Sequence, residues 1–549
     1  MRNPAGMTDN SRLTGLSFGG VYGYGIRRSQ SKSNRNPRQR RCARASRRRR
    51  QAGRGLDYYA AVIRPSSSSR FRDIFPYSMT PKPAAFPPHR PILIAVIAAS
   101  AFFMEILDAT VIAPAVPQIA ESFNTSATAI SAGISSYLIT VGVFIPASAW
   151  MSERFGARAV FAVAIAVFTL ASVLCGMSQT LGQFTLARVL QGMGGAMMSP
   201  VGRLEVLRRT EKSDLLMAIA YLTWPGLTAF AVGPLLGGFL TTYLSWRWIF
   251  YVNVPIGLFG IAMVLTFFER NTGGTHKPFD LRGFLLNGSA LGLLILGVET
   301  AGHGGRIVLG SIVAAAGLLL GFLALRHGTR HPAPLLSLVP FRMLTFSIGT
   351  FSGGGLFRIS VGATGFLLPV MFQLAFGLTA FEAGVLVFYF LMGDLAAKAF
   401  ANTLLRVFGF RPVMVIDGAI VVASGFALIL LTPAMPYWLM VAILVASGMV
   451  RSIQFSALNS LSFADIPPEL MSSASTLGSM LHQINMGFGV TLAALLLNAS
   501  AGLRAGTGAA LTHADFRIAL GAMAVLALIA TLNYLRLPPD AAADLRGDQ

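Results

Sequence analysis

From Pro91 onward the chain repeats one pattern: a long apolar stretch, a short polar connector, then another apolar stretch. About 20 apolar residues wound as an α-helix cross the ~30 Å hydrocarbon core of a bilayer. Inside lipid no water is present to bond a bare backbone, so spanning chains are helices or closed barrels, and runs of this length are helical. The pattern therefore predicts an all-α polytopic membrane protein. Charge content agrees: 12% of residues are charged, against about 25% in a soluble domain.

Fourteen spans are expected, at 91–114, 131–151, 157–177, 182–203, 217–240, 248–268, 283–301, 307–326, 346–371, 383–405, 413–432, 436–458, 475–499 and 516–536. Gly353-Gly354-Gly355, Arg358 and Asp394 dilute the ninth and tenth. A twelve-span count would require two segments between 281 and 371 to be something else. Basic residues in short loops mark the cytoplasmic side. The even-numbered loops hold fourteen: Arg154, Arg158, Arg203, Arg208, Arg209, Lys212, Arg270, Lys277, Arg282, Arg326, Arg330, Arg342, Arg406 and Arg411. The odd-numbered loops hold Arg247, Arg306, Arg504 and Arg517. The expected orientation is N-in and C-in.

The net charge of +22 is concentrated ahead of the first span: residues 1–90 hold 20 Lys/Arg and 3 Asp, peaking at Arg47-Arg48-Arg49-Arg50. This leader has too few apolar residues to offset chain entropy, so it is expected to be disordered. It lacks the apolar core of a cleavable signal peptide. Met79-Thr80-Pro81-Lys82 opens the kind of short polar lead that precedes a first span, and residues 1–78 read as an over-extended start or dispensable leader. Contact with anionic lipid is one alternative, and nucleic-acid binding a weaker one that is not expected. Cys42 and Cys175 have no evident partner, so neither a disulfide nor a metal framework is indicated. No nucleotide loop, HExxH or Cys/His cluster appears, and no cofactor is expected. Energy must then come from an ion gradient or a partner protein.

Several motifs stand inside the spans. The first carries Leu107-Asp108-Ala109-Thr110-Val111 with Pro117. The loop after the second reads Glu153-Arg154-Phe155-Gly156-Ala157-Arg158. The fourth carries Arg188-Val-Leu-Gln191-Gly192-Met-Gly194-Gly195 with Pro200, and the fifth Gly233-Pro234-Leu-Leu-Gly237-Gly238. The sixth opens on Trp246-Arg247-Trp248-Ile249-Phe250 and Asn253-Val254-Pro255. Together these resemble the fourteen-span drug:proton antiporters (EmrB/QacA type) of the major facilitator superfamily. Ala149, Glu153, Ala113-Pro114 and Ala229 depart from the usual residues of that pattern. The resemblance implies two six-helix bundles at 91–268 and 331–537, two additional helices at 281–330, and a cytoplasmic tail at 538–549.

Charges at membrane depth are costly, so they are expected to face a cavity or a partner. Glu105 and Asp108, at i and i+3 on one helix face, are candidates for proton coupling, or alternatively structural carboxylates. Arg188 needs an acceptor, whether a first-span carboxylate, Gln191 or substrate, and the resemblance links it to proton transfer. The resemblance likewise gives Gly233, Pro234, Gly237 and Gly238 a gating role beyond packing. Glu153, Arg154, Gly156 and Arg158 form a loop motif that holds a closed state or merely anchors the topology. Asp394 is a further coupling candidate and stands i, i+4 to Lys398. Gln191, Arg358 and Arg451 are cavity candidates, with Arg358 either attracting an anionic group or pairing Asp394. His482 is expected as a satisfied polar residue at a helix end, with a relay as the alternative. An adaptable apolar pocket could draw on Phe102, Phe103, Met104, Phe144, Trp150, Trp224, Phe230, Phe366, Met371, Phe372 and Tyr389.

The expected function is proton-coupled export of hydrophobic or amphipathic small molecules from a bacterial inner membrane, with protons and membrane lipids as the other partners. An importer of a small anionic metabolite and a non-transporting receptor or scaffold remain the alternatives; an enzyme is not expected.

Overall fold

The computed structural model describes residues 90–210, 214–269, 278–302, 306–332, 334–506, 509–539 and 541–542. The leader with Cys42 and Met79, together with Lys212, Arg270, Lys277 and the tail from 543, lies outside these residues.

Among the described residues, fourteen helices of 15 residues or more succeed one another. They are α1 (Arg90–Val111), α2 (Ser131–Phe155), α3 (Ala157–Met177), α4 (Leu181–Arg209), α5 (Leu215–Tyr243), α6 (Asn253–Phe267) and α7 (Leu281–Gly302). Then follow α8 (Ile307–Arg330), α9 (Gly353–Leu374), α10 (Ala380–Phe408), α11 (Phe410–Ile429), α12 (Tyr437–Ala464), α13 (Met471–Ala505) and α14 (His513–Tyr534). Thirteen helical segments are long and apolar enough to cross a membrane; α4, with Arg188, Arg203, Glu205 and Arg208, falls short on composition. Its ends fit the series nonetheless, because the connectors from α3 to α4 and from α4 to α5 are short.

Local chemistry sets the ends. Thr379 and Glu382 close a capping box at the start of α10, and Thr512 with Asp515 does the same for α14. Thr180 caps α4 by accepting from the Gln183 N–H. Past Val111 the first span breaks at Pro114 into a short 3-10 turn, then resumes as Val116–Ser122. Ahead of α9, Ile348–Ser352 form a π-turn.

Two corners of the chain match. Gly156, at φ 84°, turns α2 into α3, and Gly409, at φ 82°, turns α10 into α11. That left-handed conformation favours glycine because it lacks a Cβ. Each glycine is followed two residues on by an arginine: Arg158 donates to the Leu265 carbonyl near the end of α6, and Arg411 to the Leu535 carbonyl just past α14, at 3.3 Å. The same corner is therefore fastened in the same way in both halves.

Helices α1 to α6 pack chiefly on one another, as do α9 to α14. The halves meet along two seams, α2 against α13 and α5 against α10. Helices α7 and α8 form a hairpin that touches α2 and α13 through α7. Small residues let its backbones meet, and the outer face of α8, with Ile312, Leu319 and Phe322, is exposed as a lipid-facing surface would be. Asp280 fastens the base of the hairpin, accepting from the Gly283 N–H at 2.9 Å and the Leu335 N–H at 3.1 Å, and lying 2.8 Å from His327 Nε2.

Candidate functional site

A cavity of about 540 Å³ lies between the halves, lined by α1, α2 and α5 on one side and α9, α10, α12 and α13 on the other. A second region of about 390 Å³ continues it toward the even-loop face, sharing Glu105, Arg203, Phe455, His482 and Gln483 with the first. At the opposite, odd-loop face the halves are closed. Gln118 Nε2 donates to Gln373 Oε1 at 3.0 Å, Gln373 Nε2 to the Pro114 carbonyl at 2.9 Å, Thr128 Oγ1 to Asn498 Oδ1 at 2.7 Å and Phe381 N to Thr242 Oγ1 at 3.0 Å. One apolar core crosses this face, from Val111, Ile119 and Trp246 to Phe366, Phe372 and Leu386.

Helix α5 makes the seal possible. Gly233 and Gly237 lie against Thr110 and Val111 of α1, leaving no room for a Cβ. Gly238 lies against the backbone of Ala380 and Phe381, and Gly384 of α10 against Pro234. The glycines expected to gate thus join α5 to its own half on one side and to the other half on the next.

The two carboxylates of α1 have different surroundings. Three residues of helix separate side chains by about 60° around the axis, enough to turn them to different neighbours. Asp108 is fully buried within the first half. Arg188 Nη1 reaches its Oδ2 at 2.6 Å, while Gln191 Nε2 and Asn253 Nδ2 donate to Oδ1 at 2.7 and 3.0 Å. Arg188 also donates to Gln191 Oε1 at 2.6 Å, and Gln191 to Ser172 Oγ at 2.9 Å. The guanidinium lies 4.2 Å from the Tyr137 ring centroid, and Tyr137 lines the cavity. A buried charge pair held by further hydrogen bonds is the arrangement low dielectric favours; the Arg188 Nε and Nη2 and the Asn253 Oδ1 have no hydrogen-bond partner. Glu105, by contrast, lines both cavity regions and accepts from the Ser199 hydroxyl.

Of the other candidates, some fall where the sequence put them and some do not. Gln191, expected at the cavity, is fully buried in the Asp108 network. Arg358 does not pair with Asp394. It donates to the Gly349 carbonyl in the π-turn at 2.7 Å and to Asn459 at 3.1 Å, and it lines the second region. Asp394 instead meets Arg451 at 2.9 Å and Lys398 at 3.3 Å, all three on the cavity wall. His482, expected near a helix end, lies inside α13 and lines both regions, its ring 5.6 Å from that of Phe455. Of the apolar candidates, Phe102, Phe230 and Phe366 line the cavity. Met104, Met371 and Phe372 are buried in packing, and Trp224 is exposed. Phe144 meets Phe284 edge to face and Trp150 meets Phe279 at a tilt, beside the hairpin.

Sequence reasoning did not single out Tyr137, Ser172 or Ser199, neutral residues whose importance comes from charges on other helices. Asn253 was visible only as part of a motif. Asp280, His327 and His331 bring their ligating atoms within 4.8 Å of one another. The oxygens of Asp280 already serve the Gly283 and Leu335 N–H groups and His327, so this group acts as a fastening.

The family model described as Major Facilitator Superfamily matches residues 98–490. "Putative multidrug resistance protein MdtD" of Citrobacter koseri is 37% identical over 450 residues, covering 81% of this chain and 94% of that protein. Its namesake in Klebsiella pneumoniae is 36% identical over 449 residues, with the same coverage. Among solved structures, the POT family transporter PepTSo aligns with a TM-score of 0.60 at 13% identity, over 84% of this chain and 99% of that one. A bacterial homologue of the human lysosomal transporter Spinster, inward-facing and occupied, aligns at 0.55 and 16% identity, over 82% and 97%. At such identities the structural likeness speaks for the fold alone.

Proposed function

The chain belongs to the major facilitator superfamily, and from that premise we propose that it is a proton-coupled exporter of hydrophobic or amphipathic small molecules, working by alternating access in a bacterial inner membrane. The observation that carries this reading is the juxtaposition on α1. One carboxylate, Glu105, opens onto a largely apolar cavity between the halves, and another, Asp108, is locked to Arg188 directly behind it.

The cavity suits a solute with an apolar body: Phe102, Phe230, Phe366 and Phe390 stand on its walls. Glu105 is the carboxylate that a proton or a solute reaches from the cavity. Asp108 exchanges a proton only when Arg188 releases it, which ties exchange to movement of α1 against α4. Such movement carries α5 along with α1, which Gly233 and Gly237 hold together, and through Gly238 disturbs the seal with α10. Proton occupancy and the open face are thereby coupled through one helix. With the odd-loop face sealed and the cavity continuing toward the even-loop face, the conformation is one that loads from the side of the basic loops. The names of the MdtD relatives support a drug-like cargo.

Proteoliposomes with an imposed pH gradient test this reading. Wild-type protein is expected to move a lipophilic fluorophore against its gradient, and Asp108→Asn and Glu105→Gln are expected to bind it without gradient-driven uptake. Normal gradient-driven transport by both variants would refute the assignment.

A further inference from the structure

Most charged groups of the site are paired across short distances. Asp108 is held by Arg188 and Asp394 by Arg451 and Lys398. Two buried groups on the wall of the second cavity region are exceptions among the described residues. Arg358 of α9 is 4% exposed; its guanidinium bonds only neutral acceptors, Gly349 O and Asn459 Oδ1, and its Nε has no partner. Glu105 of α1 is 9% exposed and bonds a neutral hydroxyl, that of Ser199. Arg203, at the same wall, is exposed to solvent and can hydrate.

Leaving a buried ion without a counter-ion is expensive, and at membrane depth such a residue marks a binding or conduction role. These two ions have opposite sign, belong to opposite halves and border one cavity of about 390 Å³, yet they form no ion pair with each other. The backbone accommodates Arg358: its guanidinium bonds the Gly349 carbonyl within the π-turn, and Gly354 leaves the space that the guanidinium crosses, since a Cβ there would sit 2.7 Å from Arg358 Nη1. A π-turn inside a helix frequently accompanies a functional site.

We propose that the cavity selects zwitterionic amphiphiles, with an anionic group of the solute seated on Arg358, a cationic group on Glu105, and the apolar body among the phenylalanines of the adjoining region. The inference rests on the transport reading for its physiological meaning, and it names the cargo of the same site. A solute without the anionic group leaves Arg358 uncompensated, and one without the cationic group leaves Glu105 to be neutralised by a proton instead. A zwitterion compensates both and at the same time ties the two halves together.

A matched set of probes tests this directly. Nε-dansyl-lysine is a zwitterion with an aromatic body; its carboxamide keeps only the cation, its Nα-acetyl derivative only the anion, and the doubly blocked form neither. Binding to purified protein in detergent is followed by dansyl fluorescence. The zwitterion is expected to bind at least about tenfold more tightly than either singly charged probe, the scale of one lost hydrogen bond to a charged group. In Arg358→Gln the preference over the carboxamide disappears while that over the acetyl derivative remains; Glu105→Gln gives the converse. Equal or tighter wild-type binding of the carboxamide, or no saturable binding of the zwitterion, overturns the proposal. Should either variant fail to fold, the wild-type ranking alone decides. Protein that ranks the probes as stated but moves none of them under a pH gradient keeps this inference and overturns the transport reading. Gradient-driven export of the neutral probe without preference for the zwitterion overturns this inference alone.

Discussion

Replacing Gly238 with alanine should open the odd-loop face without unfolding the protein. A Cβ at this position would lie 2.9 Å from Phe381 Cα and 3.0 Å from the Ala380 carbonyl carbon. Both are backbone atoms of the other half, and neither can rotate away. Overpacking of this kind costs about 1–3 kcal/mol. Because the obstacle exists only while α5 and α10 touch, the cost falls on one conformation and not on the fold. At about 1.4 kcal/mol per tenfold, the equilibrium between faces should move roughly five- to 150-fold toward the state open at the odd loops. Gly237→Ala is the control. Its Cβ would lie 2.9 Å from the Val111 carbonyl carbon, within the same half, so both conformations pay and the populations stay put. Nitroxides at Ser122 and Ala434, exposed on opposite halves, would report the separation in a background lacking Cys42 and Cys175. A folded Gly238→Ala protein with wild-type distances, or an equal shift in Gly237→Ala, would refute the reasoning.

Three further outcomes are expected. Asp108→Asn leaves the Arg188 guanidinium buried without its counter-ion, costing about 3–5 kcal/mol; thermal unfolding in detergent should show a lower midpoint that the double variant Asp108→Asn/Arg188→Gln partly restores. Arg188→Lys keeps the charge but not the planar fork, so gradient-driven transport should be reduced yet measurable, whereas Arg188→Ala abolishes it. At Asp280, burial raises the carboxyl pKa, but the Gly283 N–H, His327 and the Leu335 N–H outweigh it and hold the group below the ordinary carboxylate range. The folded pKa is thus depressed: the fastening is present above the unfolded value of about 3.9 and is lost as pH falls through the lower folded value. Hydrogen exchange at the Leu335 amide should stay slow at neutral pH in wild type and speed up in Asp280→Asn.

Much of this arrangement was legible because a bilayer imposes one length and one periodicity on every span. Helix α4 was found even though its own charges lower its hydropathy, because Arg188 and Gln191 sit in an otherwise continuous run. Helix ends were less legible. Helix α13 begins at Met471 and reaches Ala505, since nothing at its polar ends forbids more turns once they project beyond the apolar layer. The motif residues gave Asp108 and Arg188, whose side chains meet across 80 positions of sequence. What the sequence could not supply was the direction each residue faces. Glu105 and Asp108 share a face by spacing, yet 60° of rotation (approximate, from the helical repeat) separates a cavity from a sealed network. Arg358 had two eligible fates, and its choice of a carbonyl over Asp394 depends on a π-turn that no local propensity signals.

The α7–α8 hairpin has a consequence for how cargo arrives. Its contacts with α2 and α13 place it over one of the two seams between the halves. A solute dissolved in the lipid cannot slip in there without displacing two helices. Among the described residues no such curtain covers the other seam, between α5 and α10, and Tyr221, Trp224 and Val232 of α5 are exposed. On the proposed transport reading, a molecule already in the membrane is therefore expected to enter from the α5–α10 side rather than past the hairpin.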